Sequence, residues 1–247
     1  MLNARQAQEG LVPIPARGRT FSSARAVRLS DMDARGRVRL DAVARYLQDV
    51  AIEDVEETGW GLPDHLWFIR RVRIDVLSPF LRDRRVELVT WCSGLASVAA
   101  GRRWTLLGDA GGRIEVDSVW VHLGPDQRPR RLVGFEVYGE AAGDRRVTTK
   151  AELVSPDDGV RMRWHLRTTD VDLHGHVNNA AYWQALEERL AEGVPDVTQP
   201  LCARLEYRRP LDLDDPVELV ERSRDGRLEL AFVTGEAVSA VARVEPL

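Results

Sequence analysis

Two stretches of the chain carry apolar residues at helical spacing, and each is followed by runs in which apolar and polar residues alternate. Val43, Leu47, Val50 and Ala51 make the first stripe, closed by Gly59, and Trp183, Leu186 and Leu190 make the second, closed by Gly193. After the first stripe come RRVRIDVLSPF, DRRVELVTWCSG, AAGRRWTLLGD and GRIEVDSVWVHL, short β-rich runs separated by Pro, Gly or Asp. Such runs predict hairpin-linked strands. One helix followed by several strands, with no further helix alternating among them, predicts an α+β arrangement in which an antiparallel sheet wraps a helix.

The pattern occurs twice because the sequence repeats itself. RIDVLSPFLRDRRVELV (73–89) aligns without gaps on RLEYRRPLDLDDPVELV (204–220), an offset of 131, through Arg73/Arg204, Pro79/Pro210, Asp83/Asp214, Val86/Val217, Glu87/Glu218, Leu88/Leu219 and Val89/Val220. Average composition predicts roughly one such match by chance. Upstream, at an offset of 139, SDMDARGRVRLDAVARYL matches TDVDLHGHVNNAAYWQAL through Asp31/Asp170, Asp33/Asp172, Gly36/Gly175, Val38/Val177 and Leu47/Leu186. The first copy therefore holds eight more residues between the matched blocks, in its helix or in the loop after it. The expected organisation is an N-terminal arm over 1–20, interrupted by Pro13, Pro15 and Gly18, a first half over 21–150 and a second over 151–247.

Composition narrows the classes. With 247 residues, 44% hydrophobic and 30% charged, the chain is long enough to bury a sizeable core. A net charge of −4 disfavours a general nucleic-acid partner. Cys92 and Cys202 lie far apart without ligand spacing and are expected to be reduced, buried thiols. No leader-like apolar segment and no membrane-spanning run is evident, so a cytoplasmic protein is expected. Lys150 is the only lysine, and arginines such as Arg70 to Arg73, Arg208 and Arg209 read first as solvated surface.

The turn DVDLHGHVNNAAYW (170–183) concentrates the candidate chemistry. Taken alone, its acids and asparagines cap a helix. His174 and His176, near Asp170 and Asp172, lack a third histidine at ligand spacing, so no metal is expected. A helix starting near Asn178 offers backbone N–H groups without intrahelical partners and the positive end of its dipole, which can hold a carbonyl oxyanion, with the amide of Asn179 and also Asn178 as candidates. Gly175 permits a tight turn and close approach of a substrate. The first copy keeps Asp31 and Asp33 but has Arg35, Arg37 and Arg39 where the second has His174, His176 and Asn178. It is expected to cap its helix without chemistry, giving one active site per chain.

The duplicated D-x-D-x-x-G-H-V-N-N turn, LEYRR downstream and DSVWVHLGPDQRPRRL closing the first half together resemble the acyl-acyl carrier protein thioesterases. The resemblance spans about residues 25–244 and implies a double hot-dog fold, hydrolysis of fatty acyl-acyl carrier protein to free fatty acid, a place in fatty-acid metabolism, and no cofactor. It implies Asp172 as the catalytic carboxylate, activating water or attacking directly, and His176 as the group that orients carbonyl or water. His174 stands where the plant enzymes carry asparagine. After LEYRR those enzymes show an acid and a cysteine, whereas this chain has Pro210 and Leu211. Asp172 is thus expected to work with the histidines alone or with Asp170 or Glu187. The implied partner is acyl carrier protein, met by some of the arginines, with no nucleic acid and no membrane span; a monomer and a homodimer both fit. Leu47, Val50, Trp67 and Phe68 are candidates for the acyl tunnel. An acyl-CoA thioesterase of the same fold and a catalytically silent acyl or carrier-protein binder are the alternatives.

Overall fold

The computed structural model describes residues 11–60 and 66–247. Part of the expected N-terminal arm, residues 1–10, lies outside the described residues. Strand β1 (Thr20–Ala26) leads to helix α1 (Leu40–Glu57), then to β2 (Leu66–Ser78), β3 (Arg85–Leu95), β4 (Ala99–Gly108) and β5 (Arg113–Leu123). A short helix α2 (Glu136–Ala142) precedes β6 (Val160–Arg163) and helix α3 (Asn179–Leu190), after which come β7 (Leu201–Tyr207), β8 (Val217–Arg224), β9 (Arg227–Thr234) and β10 (Ala237–Pro246).

Among the described residues ten strands form one antiparallel sheet in the order β1-β3-β4-β5-β2-β7-β10-β9-β8-β6. The order reads as one five-strand unit followed by its mirror. At the seam Arg73 of β2 lies opposite Arg204 of β7, and these are the residues matched by the sequence repeat. A pseudo-twofold axis therefore passes between them, and the chain is a double hot-dog.

Alternation decides what faces the helices. On β7, Leu201, Ala203, Leu205 and Tyr207 point inward, while Arg204 and Glu206 point outward with Cys202. On β2, Ile74 and Val76 join the same core, and Arg73 and Asp75 share the outer face. Both helices pack into this one core through Val43, Leu47 and Val50 of α1 and Trp183, Leu186 and Leu190 of α3, the stripes that the spacing predicts. Ala180, Ala181 and Ala185 keep α3 narrow within this core. The extra residues of the first copy go partly into its helix, 18 residues against 12. Cys92 and Cys202 are buried free thiols, and burial pushes each up to about 11. Among the described residues no helix is long and apolar enough to cross a membrane.

Candidate active site

The two turns share one backbone. In the first, Asp33 N donates to Arg37 O (2.8 Å), Gly36 N to Asp33 O (3.0 Å) and Val38 N to Phe80 O (3.0 Å). In the second, Asp172 N donates to His176 O (2.9 Å), Gly175 N to Asp172 O (3.0 Å) and Val177 N to Leu211 O (2.8 Å). Gly36 and Gly175 sit at φ 79° and 82°, a region that disfavours any residue with a Cβ. Space is not the obstacle at position 175, where an added Cβ would meet nothing within 4 Å. Gly175→Ala is therefore expected to cost about 1–2 kcal/mol through backbone strain alone, read as a fall in thermal midpoint; an unchanged midpoint would show that the turn tolerates a side chain.

Each turn is also fastened from behind. Asp31 accepts from Arg28 N (2.8 Å) and from the Tyr46 hydroxyl (2.7 Å), and Asp170 accepts from Arg167 N (2.8 Å) and the Arg167 guanidinium (2.9 Å). Asp170 is buried and committed to that pair, so it is scaffold for the turn.

The side chains at the front differ. Asp33 accepts from Arg35 N and Arg37 N and from Arg37 Nε, all within 3.1 Å. Burial by itself would raise its pKa, but the bonds and charge of Arg37, with the Arg35 amide, outweigh it and hold the carboxyl below its ordinary range. Asp172 accepts one bond, from His174 N at 2.9 Å, through Oδ1. Among the described residues its Oδ2 has no hydrogen-bond donor. His174 is exposed; its backbone serves Asp172.

His176 pairs through Nδ1 with Asp212 Oδ1 at 2.8 Å. Asp212 is not among the residues that the sequence pattern singles out, because the acid that the resemblance implies falls directly after LEYRR. The signal was available in the gapless repeat: Asp212 aligns with Leu81, so the second copy has an acid with no acidic counterpart, whereas neighbouring Asp214 aligns with Asp83, which binds Ala110 N and Gly112 N in a loop. The Val177 N to Leu211 O bond places the two segments side by side.

The helix heads differ as well. Asn178 caps α3, its Oδ1 accepting from Ala180 N at 2.8 Å, so it is one of the two asparagines assigned to this region and the one that does the capping. Asn179 is the first helical residue. Its carbonyl accepts from the Tyr207 hydroxyl (3.0 Å), which itself accepts from Trp183 Nε1 (3.0 Å), fixing the first turn to β7. Burial holds that phenol far above its usual pKa, so it acts as a neutral donor. Among the described residues the Asn179 N–H has no protein acceptor. In the first copy the equivalent Leu40 N–H donates to Glu187 Oε1 at 2.6 Å.

Two cavities flank this region. A small one, about 20 Å³, lies between the helices and the sheet, lined by Leu47, Gln48, Trp104, Trp120, Asn179, Trp183 and Tyr207 among others. It holds about one water, so an acyl chain must displace side chains to enter. Of the tunnel candidates, Leu47 lines this cavity, Val50 is in the core, Phe68 packs against the core, and Trp67 stacks with Trp60, His122 and Phe135. The larger cavity, an open groove of about 770 Å³, lies at the first turn, with Asp33, Arg37, Arg167, Asp170 and Glu187 on its walls. Size does not mark the site here, because those charged groups are paired with one another.

Residues 18–140 match the family model described as acyl-ACP thioesterase N-terminal domain, and residues 154–239 match the acyl-ACP thioesterase C-terminal domain. An uncharacterised protein of Mycobacterium tuberculosis is 31% identical over 251 residues, covering 100% of both chains. The oleoyl-acyl carrier protein thioesterase 2 of Arabidopsis thaliana chloroplasts is 25% identical over 223 residues, 79% of this chain and 61% of that protein. The crystal structure of an acyl-ACP thioesterase from Bacteroides thetaiotaomicron superposes with a TM-score of 0.77 at 14% identity, over 92% of this chain and 97% of the other.

Proposed function

We propose, for a chain that belongs to the acyl-ACP thioesterase family and is a thioester hydrolase, that acyl-ACP is cleaved at the second turn by Asp172, His176 and the head of α3. Hydrolysis needs a base or nucleophile for the carbonyl carbon, donors for the oxyanion, and exit of a thiolate. The observation that carries the assignment is the Asn179 N–H. It stands at the positive end of a 12-residue helix without an acceptor among the described residues, beside the turn that holds Asp172, while its counterpart in the first half is filled by Glu187. The thioester oxygen takes that donor as it becomes an oxyanion. Gly175 keeps the approach clear.

Asp172 then activates water or attacks the carbonyl carbon itself. The bond at Oδ1 fixes its direction and leaves Oδ2 for the reaction. In this reading Asp212 takes the part of the acid that follows LEYRR in the plant enzymes: its pairing with Nδ1 of His176 leaves Nε2 for the reaction. That bond also favours a second reading, in which His176, oriented by Asp212, takes the proton from water and Asp172 only orders the turn. Both residues of the pair are partly solvated, so its contribution is modest. Asp212→Asn is expected to lower kcat roughly tenfold, the worth of one charge-assisted hydrogen bond; an unchanged kcat would remove Asp212 from the site.

The deciding experiment measures thiol release from one acyl chain carried on acyl carrier protein and on coenzyme A. Faster release from carrier protein supports the assignment, and preference for coenzyme A reassigns the substrate within the same chemistry. Acyl binding without thiol release makes the chain a silent binder. The unbridged thiols support a cytoplasmic location.

A further inference from the structure

The repeat that built the two halves also exchanges one helical residue between them. Gln48 of α1 and Glu187 of α3 are equivalent at the offset of 139, each eight residues after the first residue of its helix. Each crosses the seam to the head of the opposite helix. Glu187 reaches the head of α1, where Oε1 accepts from Leu40 N at 2.6 Å and both carboxylate oxygens accept from the Arg37 guanidinium. Gln48 reaches the head of α3, where Nε2 donates to Asn178 Oδ1 at 3.2 Å, and it lines the small cavity together with Asn179, Trp183 and Tyr207.

Glu187 is thus a built-in carboxylate occupying the first N–H of one helix. It shows within the same molecule where a negative oxygen settles on such a donor. Leu40 and Asn179 are themselves equivalent at that offset, so a carboxylate at position 48 would take the Asn179 N–H in the same way. The residue there is an amide. Asn178 Oδ1, already accepting from Ala180 N, needs a donor opposite it, so the NH₂ of Gln48 is what faces it.

We infer that Gln48, supplied by the first half, is a positioning residue of the second half's thioester site: it braces the Asn178 cap while leaving the Asn179 N–H to the substrate carbonyl. This rests on the reading of the site given above. It adds one exchanged side chain to the differences between the two turns: the acid at position 187 closes the first helix head, and the neutral amide at position 48 keeps the second open.

The test uses the full chain with Gln48→Glu and Gln48→Met. The first is expected to lower kcat/KM for acyl-ACP on the order of 10²-fold, as for loss of an oxyanion donor, and the second, which loses the brace but adds no competing acceptor, by less than tenfold. A backbone amide spectrum supplies a readout independent of turnover: the Asn179 resonance moves downfield in Gln48→Glu and stays near its wild-type position in Gln48→Met. Equal losses in the two variants with an unmoved Asn179 resonance would reduce Gln48 to packing and overturn the inference, as would wild-type turnover in Gln48→Glu. If the wild-type chain releases no thiol from acyl-ACP while the Asn179 resonance still moves, the thioesterase reading of the site fails and the placement of Gln48 stands.

Discussion

Asp172→Asn is expected to lower kcat for acyl-ACP by 10²- to 10⁴-fold, the range supplied by a positioned acid or base, with little change in thermal midpoint. The substitution isolates chemistry from architecture. The bond Asp172 makes at 2.9 Å is accepted by Oδ1 from His174 N, and an asparagine carbonyl accepts it equally. What is lost is the charge and nucleophilicity of the second oxygen. Asp172→Ala removes the turn bond too and is expected to add about 1 kcal/mol of destabilisation to the same catalytic loss. The control lies in the same molecule: Asp33→Asn alters the equivalent carboxylate of the first turn, which is bonded to Arg35 N, Arg37 N and Arg37 Nε. That variant should lose stability and keep kcat. Stopped-time thiol release and a thermal melt on all three variants decide the matter. Full activity in Asp172→Asn, with activity lost in His176→Ala, would transfer the role of base to the His176–Asp212 pair.

The asymmetry between the turns is also where the sequence was most and least informative. Period and punctuation were sufficient for the helices, since Leu47, Val50, Trp183 and Leu186 are all buried in one core and glycines at 59 and 193 follow the two helix ends. The repeat went further, because Arg73 and Arg204 lie opposite each other across the seam. Partners that meet only in space were not readable. Glu187, considered as an assisting acid, is 150 residues from the Arg37 it binds, and Asp170 is held by Arg167. Asp212 sits in an exposed loop whose identity as a partner of His176 depends on strand register, not on local pattern. The four-residue β6 and the seven-residue α2 carry too few residues to show a period.

The same pairing makes Glu187→Ala the substitution with the largest expected cost to stability, about 3–5 kcal/mol, or roughly 6–20 °C in thermal midpoint for a chain of this size. Arg37 and Glu187 are 5% and 8% exposed, and their two-pronged bond joins the first turn to the helix of the other half. Burial by itself would lower the Arg37 pKa, but the Glu187 carboxylate and Asp33 outweigh it, so the guanidinium stays charged inside the protein. Truncating Glu187 leaves that charge with Asp33 alone and strips the acceptor from Leu40 N. The double variant Arg37→Met, Glu187→Leu removes both charges at similar volume, and because the desolvation cost of the pair disappears with it, it is expected to be more stable than Glu187→Ala. Chemical denaturation of the single and double variants measures both quantities. A double variant no more stable than the single one would mean that the Leu40 cap, rather than the stranded charge, is what Glu187 contributes. Since Asp172, His176 and Asp212 lie at the other helix head, turnover per folded molecule should stay within a few-fold of wild type in every variant of this pair, whatever the loss of stability.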